Sequence, residues 1–206
     1  MQVSRQQNAE QPERGASART RRLMLETATR LMQEGKTPSV SEVAEAAEVS
    51  RATAYRYFPS QAALVHAVVD EALGPILDWR SGSNDVEQRV QDLIGTSMPR
   101  IIEFEATFRA ALKLSLEPAG ADEPAEPRFT RGHRVDLLRD AVRPLTGKMP
   151  AAEADRLAQA LSLIYGIEML VVLKDIWGLG DKAAVSVMEW AAQSLVRAAI
   201  SAEVTA

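Results

Sequence analysis

Ser39-Val-Ser-Glu-Val-Ala-Glu-Ala-Ala-Glu-Val-Ser-Arg-Ala-Thr-Ala-Tyr-Arg-Tyr-Phe-Pro-Ser60 reads as two short helices joined by a tight turn. Ser39 is placed to cap the first helix, and Glu42, three residues on, closes a capping box. Val43, Ala44 and Ala47 recur at helical spacing, so the apolar face is narrow and lets a second helix cross closely. Ala47-Glu-Val-Ser50 makes the turn, with Val49 as its apolar plug and Ser50 as the cap of the next helix. Ala54 and Phe58, four residues apart, share the inner side of that helix.

Its outer side brings Arg51, Ala52, Tyr55 and Arg56 onto one exposed face, with Thr53 and Tyr57 at the edges. Guanidinium groups fork to guanine edges or grip phosphate, and tyrosine and threonine hydroxyls reach phosphate oxygens. Ala52 is small enough to let the helix axis enter a groove. The alternative is a solvated helix with ordinary surface arginines.

Working outward, Val49-Ser-Arg-Ala-Thr-Ala-Tyr-Arg-Tyr-Phe-Pro-Ser60 with Gln-Ala-Ala-Leu64 resembles the recognition helix and following helix of the tetracycline-repressor (TetR) family. Thr20-Arg-Arg-Leu-Met-Leu-Glu-Thr-Ala-Thr-Arg-Leu-Met-Gln-Glu-Gly35 resembles that family's first helix. The resemblance implies an all-α protein with an amino-terminal three-helix helix-turn-helix DNA-binding domain and a larger carboxy-terminal helical domain for ligand binding and dimerisation. It implies DNA contacts from Ser41, Arg51, Ala52, Thr53, Tyr55, Arg56 and Tyr57, a palindromic operator bound by a homodimer, and release by a small-molecule inducer. Three positions depart from the pattern: Glu48 stands where a turn glycine is usual, Gln61 where a lysine is common, and Ala54 where a larger aliphatic is frequent. Those departures suit an alternative, a helical ligand- or partner-binding module with a vestigial head. Repression and activation use the same head and are not separable by sequence.

Composition agrees with a helical chain. Of 206 residues, 46% are hydrophobic and only 5% aromatic, and no long alternating strand pattern competes. Residues 1–60 carry nine Lys and Arg against seven Asp and Glu, and the remainder fifteen against twenty-one, within a net charge of −4. A mildly basic head on an acidic body suits groove contact by a patch. There is no cysteine, so disulfide and thiolate chemistry are excluded. With no long apolar run and no signal-like amino terminus, a cytoplasmic protein without a membrane partner is expected.

Along the chain, residues 1–18 read as a disordered arm, 19–73 as the DNA-binding domain with its connecting helix, and 74–206 as the second domain. The first helix should turn Leu23, Ala28, Leu31 and Met32 inward and stop at Gly35. The connecting helix should run from Gln61 to Leu73, ending at Gly74-Pro75. Asp85 caps a helix reaching Ile102, which Pro99 should bend. A further helix ends near Leu116, and the proline-rich stretch 117–127 reads as a mobile loop. An amphipathic helix over 128–145 should point Val135, Leu138 and Val142 inward and Arg131, Arg134, Arg139 and Arg143 outward.

The last two helices, about 153–176 and 182–201, are apolar around most of their girth. Helices of that kind need cover beyond their own domain, which a two-fold four-helix interface supplies. A cavity between helices is expected from Met98, Ile102, Phe108, Leu112, Leu137, Leu161, Tyr165, Glu168, Met169 and Val172. Glu168, acidic within an oily helix, needs a partner: a cationic ligand, or an arginine such as Arg109 or Arg131. His66 and His133 are the only histidines and lie in different elements without metal-ligand spacing. Neither a phosphate loop nor a nucleophile elbow is present, so no enzyme, cofactor or metal is expected.

Overall fold

The computed structural model describes residues 10–116 and 133–204, and all regular structure there is helical. Ten helices follow in order: α1 (Glu10–Gln33), α2 (Val40–Ala46), α3 (Arg51–Tyr57), α4 (Gln61–Leu73), α5 (Val86–Glu103), α6 (Glu105–Leu116), α7 (His133–Val142), α8 (Ala151–Leu163), α9 (Ile167–Leu170) and α10 (Asp181–Val204). A π-helical turn, Val171–Ile176, continues α9. The stretch 117–127 read as a loop lies outside the described residues, as do residues 1–9 and Arg131.

The head is built by α1 to α4. Helix α1 begins at Glu10 and not near residue 19, so the expected disordered arm is helical over 10–18. Polar, charged residues there form helix because they extend a helix already anchored by Met24, Leu25, Ala28, Leu31 and Met32, all buried. Leu23, expected inward, is exposed, and Met24 and Leu25 take the inner face. Gly35, at φ 80, ends the helix: its N–H donates to the Met32 carbonyl and that of Lys36 to Leu31, the Schellman pattern. Helices α2 and α3 pack on each other, and α1 packs on α2 and α4.

In the body, α5 contacts α7 and α10, while α8 contacts α7 and α10. Helix α5 continues through Pro99. Helix α7 buries Leu137, Leu138, Ala141 and Val142, whereas Val135, expected inward, is exposed. The helix expected over 153–176 is interrupted at Gly166, where the chain bends by 46°. Gly166 sits at φ 106, and a Cβ there would stand 2.7 Å from Arg134 Nη2. Glycine is what allows both the turn and the close approach of that guanidinium. Arg134, expected outward, spans the break: Nη1 donates to the Ser162 carbonyl at 3.2 Å and Nη2 to Glu168 Oε2 at 2.5 Å.

Arg89 is 1% exposed, and its charge is fully satisfied. Its five N–H donors reach the carbonyls of Ala141, Ser81, Ser83 and Asp140 and the Asp140 carboxylate, at 2.6 to 3.1 Å. One side chain thereby ties α5 to α7 and to the loop before α5.

Head and body meet through α4 and α1 against α6. Arg100 of α5 caps the end of α4 by donating to the carbonyls of Ala72 and Glu71. Such a cation at a helix carboxy terminus satisfies orphan carbonyls and complements the dipole. Whatever moves α5 or α6 is therefore felt at α4. Among the described residues, no single helix is long and apolar enough to cross a membrane.

Candidate DNA-reading face and buried cavity

The capping chemistry of the head places its side chains. Ser39 Oγ accepts from the Glu42 N–H while the Glu42 carboxylate accepts from the Ser39 N–H at 2.7 Å. That bond to the Ser39 backbone holds Glu42 below the usual carboxylate range. In the turn, Glu48 takes φ 55, its N–H donating to Glu45 and that of Val49 to Ala44. A glutamate thus occupies the left-handed position that glycine fills elsewhere, and its side chain is exposed. Ser50 Oγ then caps α3 by accepting from the Thr53 N–H.

From that start, α3 buries Ala54 and leaves Arg51, Ala52, Tyr55 and Arg56 exposed, with Thr53 and Tyr57 half-buried. The structure brings all seven sequence-derived head residues to one region, with different commitments. Ser41 of α2 meets Tyr55 hydroxyl to hydroxyl at 3.3 Å, bracing the two helices. Thr53 Oγ1 accepts from Ser50 Oγ at 2.9 Å. The Tyr57 hydroxyl donates to Ser17 Oγ at 2.9 Å, and the Arg56 guanidinium lies over the Tyr57 ring at 5.3 Å. No carboxylate pairs with Arg51 or Arg56 among the described residues, so both cations face outward unneutralised. Gln61, standing where a phosphate-gripping lysine was the comparison, donates instead to the carbonyls of Thr37 and Pro38 at 3.0 and 3.1 Å. It braces the loop entering α2.

In the body, a cavity of about 90 Å³ opens between α4, α5, α6, α7 and the bend at Gly166. Phe108, Leu112, Leu137 and Tyr165 line it, as the sequence suggested. The other six suggested residues do not line it. Met98 and Met169 are buried in the core, and Leu161 borders a smaller separate void; Ile102 is half-buried and Val172 is 44% exposed. Glu168 is engaged with Arg134. An arginine is indeed its partner, Arg134 and not Arg109, which holds Asp175 in a bidentate pair and also Glu105; Arg131 lies outside the described residues. The reason for the mismatch is the bend: a straight helix would have carried Met169 and Val172 along the line of Leu161 and Tyr165.

Sequence reading missed Val69, Asp70, Leu73, Ile101 and Ala111 on the cavity wall, and the polar group His66, His133 and Arg134 at its side. The His66–Asp70 spacing on α4 was visible in the sequence, but the arrival of His133 from α7 was not. On the cavity wall, the Tyr165 hydroxyl is buried without a hydrogen bond of ordinary geometry. Burial pushes its ionisation above the usual phenol range, with Ser97 and Arg134 opposing.

A capped, close-packed helix pair presenting two exposed arginines and a tyrosine on its outer helix defines a helix-turn-helix head of the DNA-binding class. Comparison agrees: residues 24–68 match the family described as bacterial regulatory proteins, tetR family. The head is thus similar to the DNA-binding domain of that family, and the match does not extend into the body. No curated protein matches the chain.

Proposed function

We propose that this protein is a homodimeric, ligand-responsive repressor that reads a palindromic operator. Residues 19–73 serve as the reading domain, and 74–206 as the ligand-binding and dimerisation domain. The observation that carries the reading is the outer face of α3, where Arg51, Ala52, Tyr55 and Arg56 stand exposed beside Ser41. Arg51 and Arg56 supply phosphate or guanine contacts, and Tyr55 and Thr53 grip the backbone. Two of the three departures that favour a vestigial head have local explanations, since Glu48 completes the turn and Gln61 braces the loop.

Dimerisation is supported by what the last elements leave uncovered. Leu163, Ile176, Trp177 and Trp190 are 69 to 78% exposed, and Val187 lies one turn before Trp190. Val187 and Trp190 face away from the row Ala184, Met188, Ala192 and Val196 that α10 buries against its own body. Apolar exposure on that scale marks an interface, and a second copy covers it by two-fold symmetry. Two heads so paired read half-sites roughly 34–36 Å apart.

Ligand response is supported by the cavity, which shares α4 between its wall and the head. At about 90 Å³ the cavity is smaller than ordinary ligand pockets. A molecule entering it has to displace α4 from α6 or α7, which changes the spacing of the heads. The unsatisfied Tyr165 hydroxyl offers such a molecule a hydrogen bond. A mobility-shift titration against the DNA upstream of its own gene, at stated salt, tests the reading. Arg56→Ala is expected to weaken specific binding by ~1–3 kcal/mol if that side chain forks to a base. Equal binding of both proteins at every sequence would remove Arg56 from the reading face.

A further inference from the structure

We propose that His66, Asp70 and His133 form a divalent-cation site that ties α4 to the first turn of α7 beside the cavity. His66 and Asp70 lie one turn apart on α4, and His133 is the first residue of α7. His66 Nδ1 stands 2.9 Å from Asp70 Oδ2, and His133 Nε2 stands 3.0 Å from Asp70 Oδ1. The ligating atoms all lie within 4.8 Å of one another. An ion bound at about 2.0–2.1 Å holds neighbouring donor atoms roughly 3.0–3.4 Å apart, so the present N···O spacings need open by only a few tenths of an ångström. The two imidazole rings stand edge to face with centroids 6.3 Å apart, both turned toward the one carboxylate.

The chemistry of the set selects the ion. Two imidazole nitrogens and one carboxylate favour a borderline ion such as Zn²⁺, Co²⁺ or Ni²⁺ over Mg²⁺ or Ca²⁺, which take oxygen donors. Binding is a simple exchange. Each imidazole binds as the neutral ring, its one proton carried on the nitrogen turned away from Asp70, and the ion sits where the hydrogen bond to the carboxylate now runs. The nearest cation on the cavity wall, Arg134, opposes a bound ion less because its charge is engaged by Glu168. The three side chains are 39 to 41% exposed, so the ion has a path from solution. Three protein ligands leave positions for water or for a donor atom on a molecule in the adjoining cavity. Any effect of the clamp on the head rests on the regulator reading above; ion binding does not.

The test uses the untagged full-length chain, stripped by chelator and titrated with Co²⁺. The expected result is a visible ligand-field band saturating at one ion per chain, abolished by Zn²⁺ and untouched by Mg²⁺. His66→Gln and His133→Gln should each weaken Co²⁺ binding by about 10-fold or more. Their melting temperatures in chelator should stay close to that of the parent. Should either variant melt early, Zn²⁺ must still raise the melting temperature of the unaltered chain, saturating at one ion per chain. No band, equal binding by both variants, or no thermal response to Zn²⁺ would each overturn the site.

Discussion

Replacing Glu48 with glycine should stabilise the protein. Glu48 holds φ 55 between α2 and α3. For an L-residue with a side chain, that left-handed conformation costs roughly 1–2 kcal/mol. Glycine removes this cost but gives up about 0.4–1 kcal/mol through the greater freedom of its unfolded chain. The side chain itself contributes little, being exposed and without an ion pair among the described residues. The two turn hydrogen bonds, from the Glu48 and Val49 N–H groups, are backbone bonds and survive. A net gain of about 0.5–1 kcal/mol follows, a rise of a few degrees in melting temperature for a chain of this size. Glu48→Ala is the control, because it removes the carboxylate and keeps the strained backbone. The assay is urea denaturation at fixed protein concentration, since self-association makes stability depend on concentration. A glycine variant no more stable than the alanine variant would refute the turn geometry on which the orientation of α3 depends.

Three further outcomes follow from the same structure. Arg89→Ala should destabilise by about 3–5 kcal/mol, because it strands four carbonyls in the body and leaves the Asp140 carboxylate to Arg143 alone; thermal melts measure this. Trp190→Glu should turn the proposed dimer into a monomer in sedimentation velocity and abolish cooperative operator binding, whereas an unchanged mass would remove Trp190 from any two-fold contact. The hydrogen bond from Arg109 holds Asp175 below its ordinary 3.8. Its lowered value means the stabilisation is complete above that pH and is lost as pH falls through the shifted value. Acid titration of stability should therefore be flatter for Asp175→Asn than for the parent, and coincident curves would dismiss the pair.

Local chemistry was the part of this fold that could be read from the chain. The Ser39–Glu42 box, the Ser50 and Asp85 caps, the Gly35 stop and the span of α4 from Gln61 to Leu73 all depend on residues within a few positions of one another. The outward face of α3 was legible for the same reason, since Ala54 and Phe58 fix the inner side. What depended on distant partners was not. Gly166 reads as an ordinary interruption until Arg134 arrives from α7, and with it the cavity wall is redrawn. The extension of α1 back to Glu10 had no apolar period to announce it. Arg89 resembled any helical surface arginine, yet its five donors are met by a loop and by α7. The same holds for His133, which joins His66 and Asp70 only through the packing of α7 near α4.

Footprinting on the DNA upstream of the gene tests the central claim most directly. The account predicts two protected half-sites related by symmetry, centred about 10 base pairs or a multiple apart, with both lost together in Trp190→Glu. A single asymmetric patch, or no protection at any protein concentration, would contradict it.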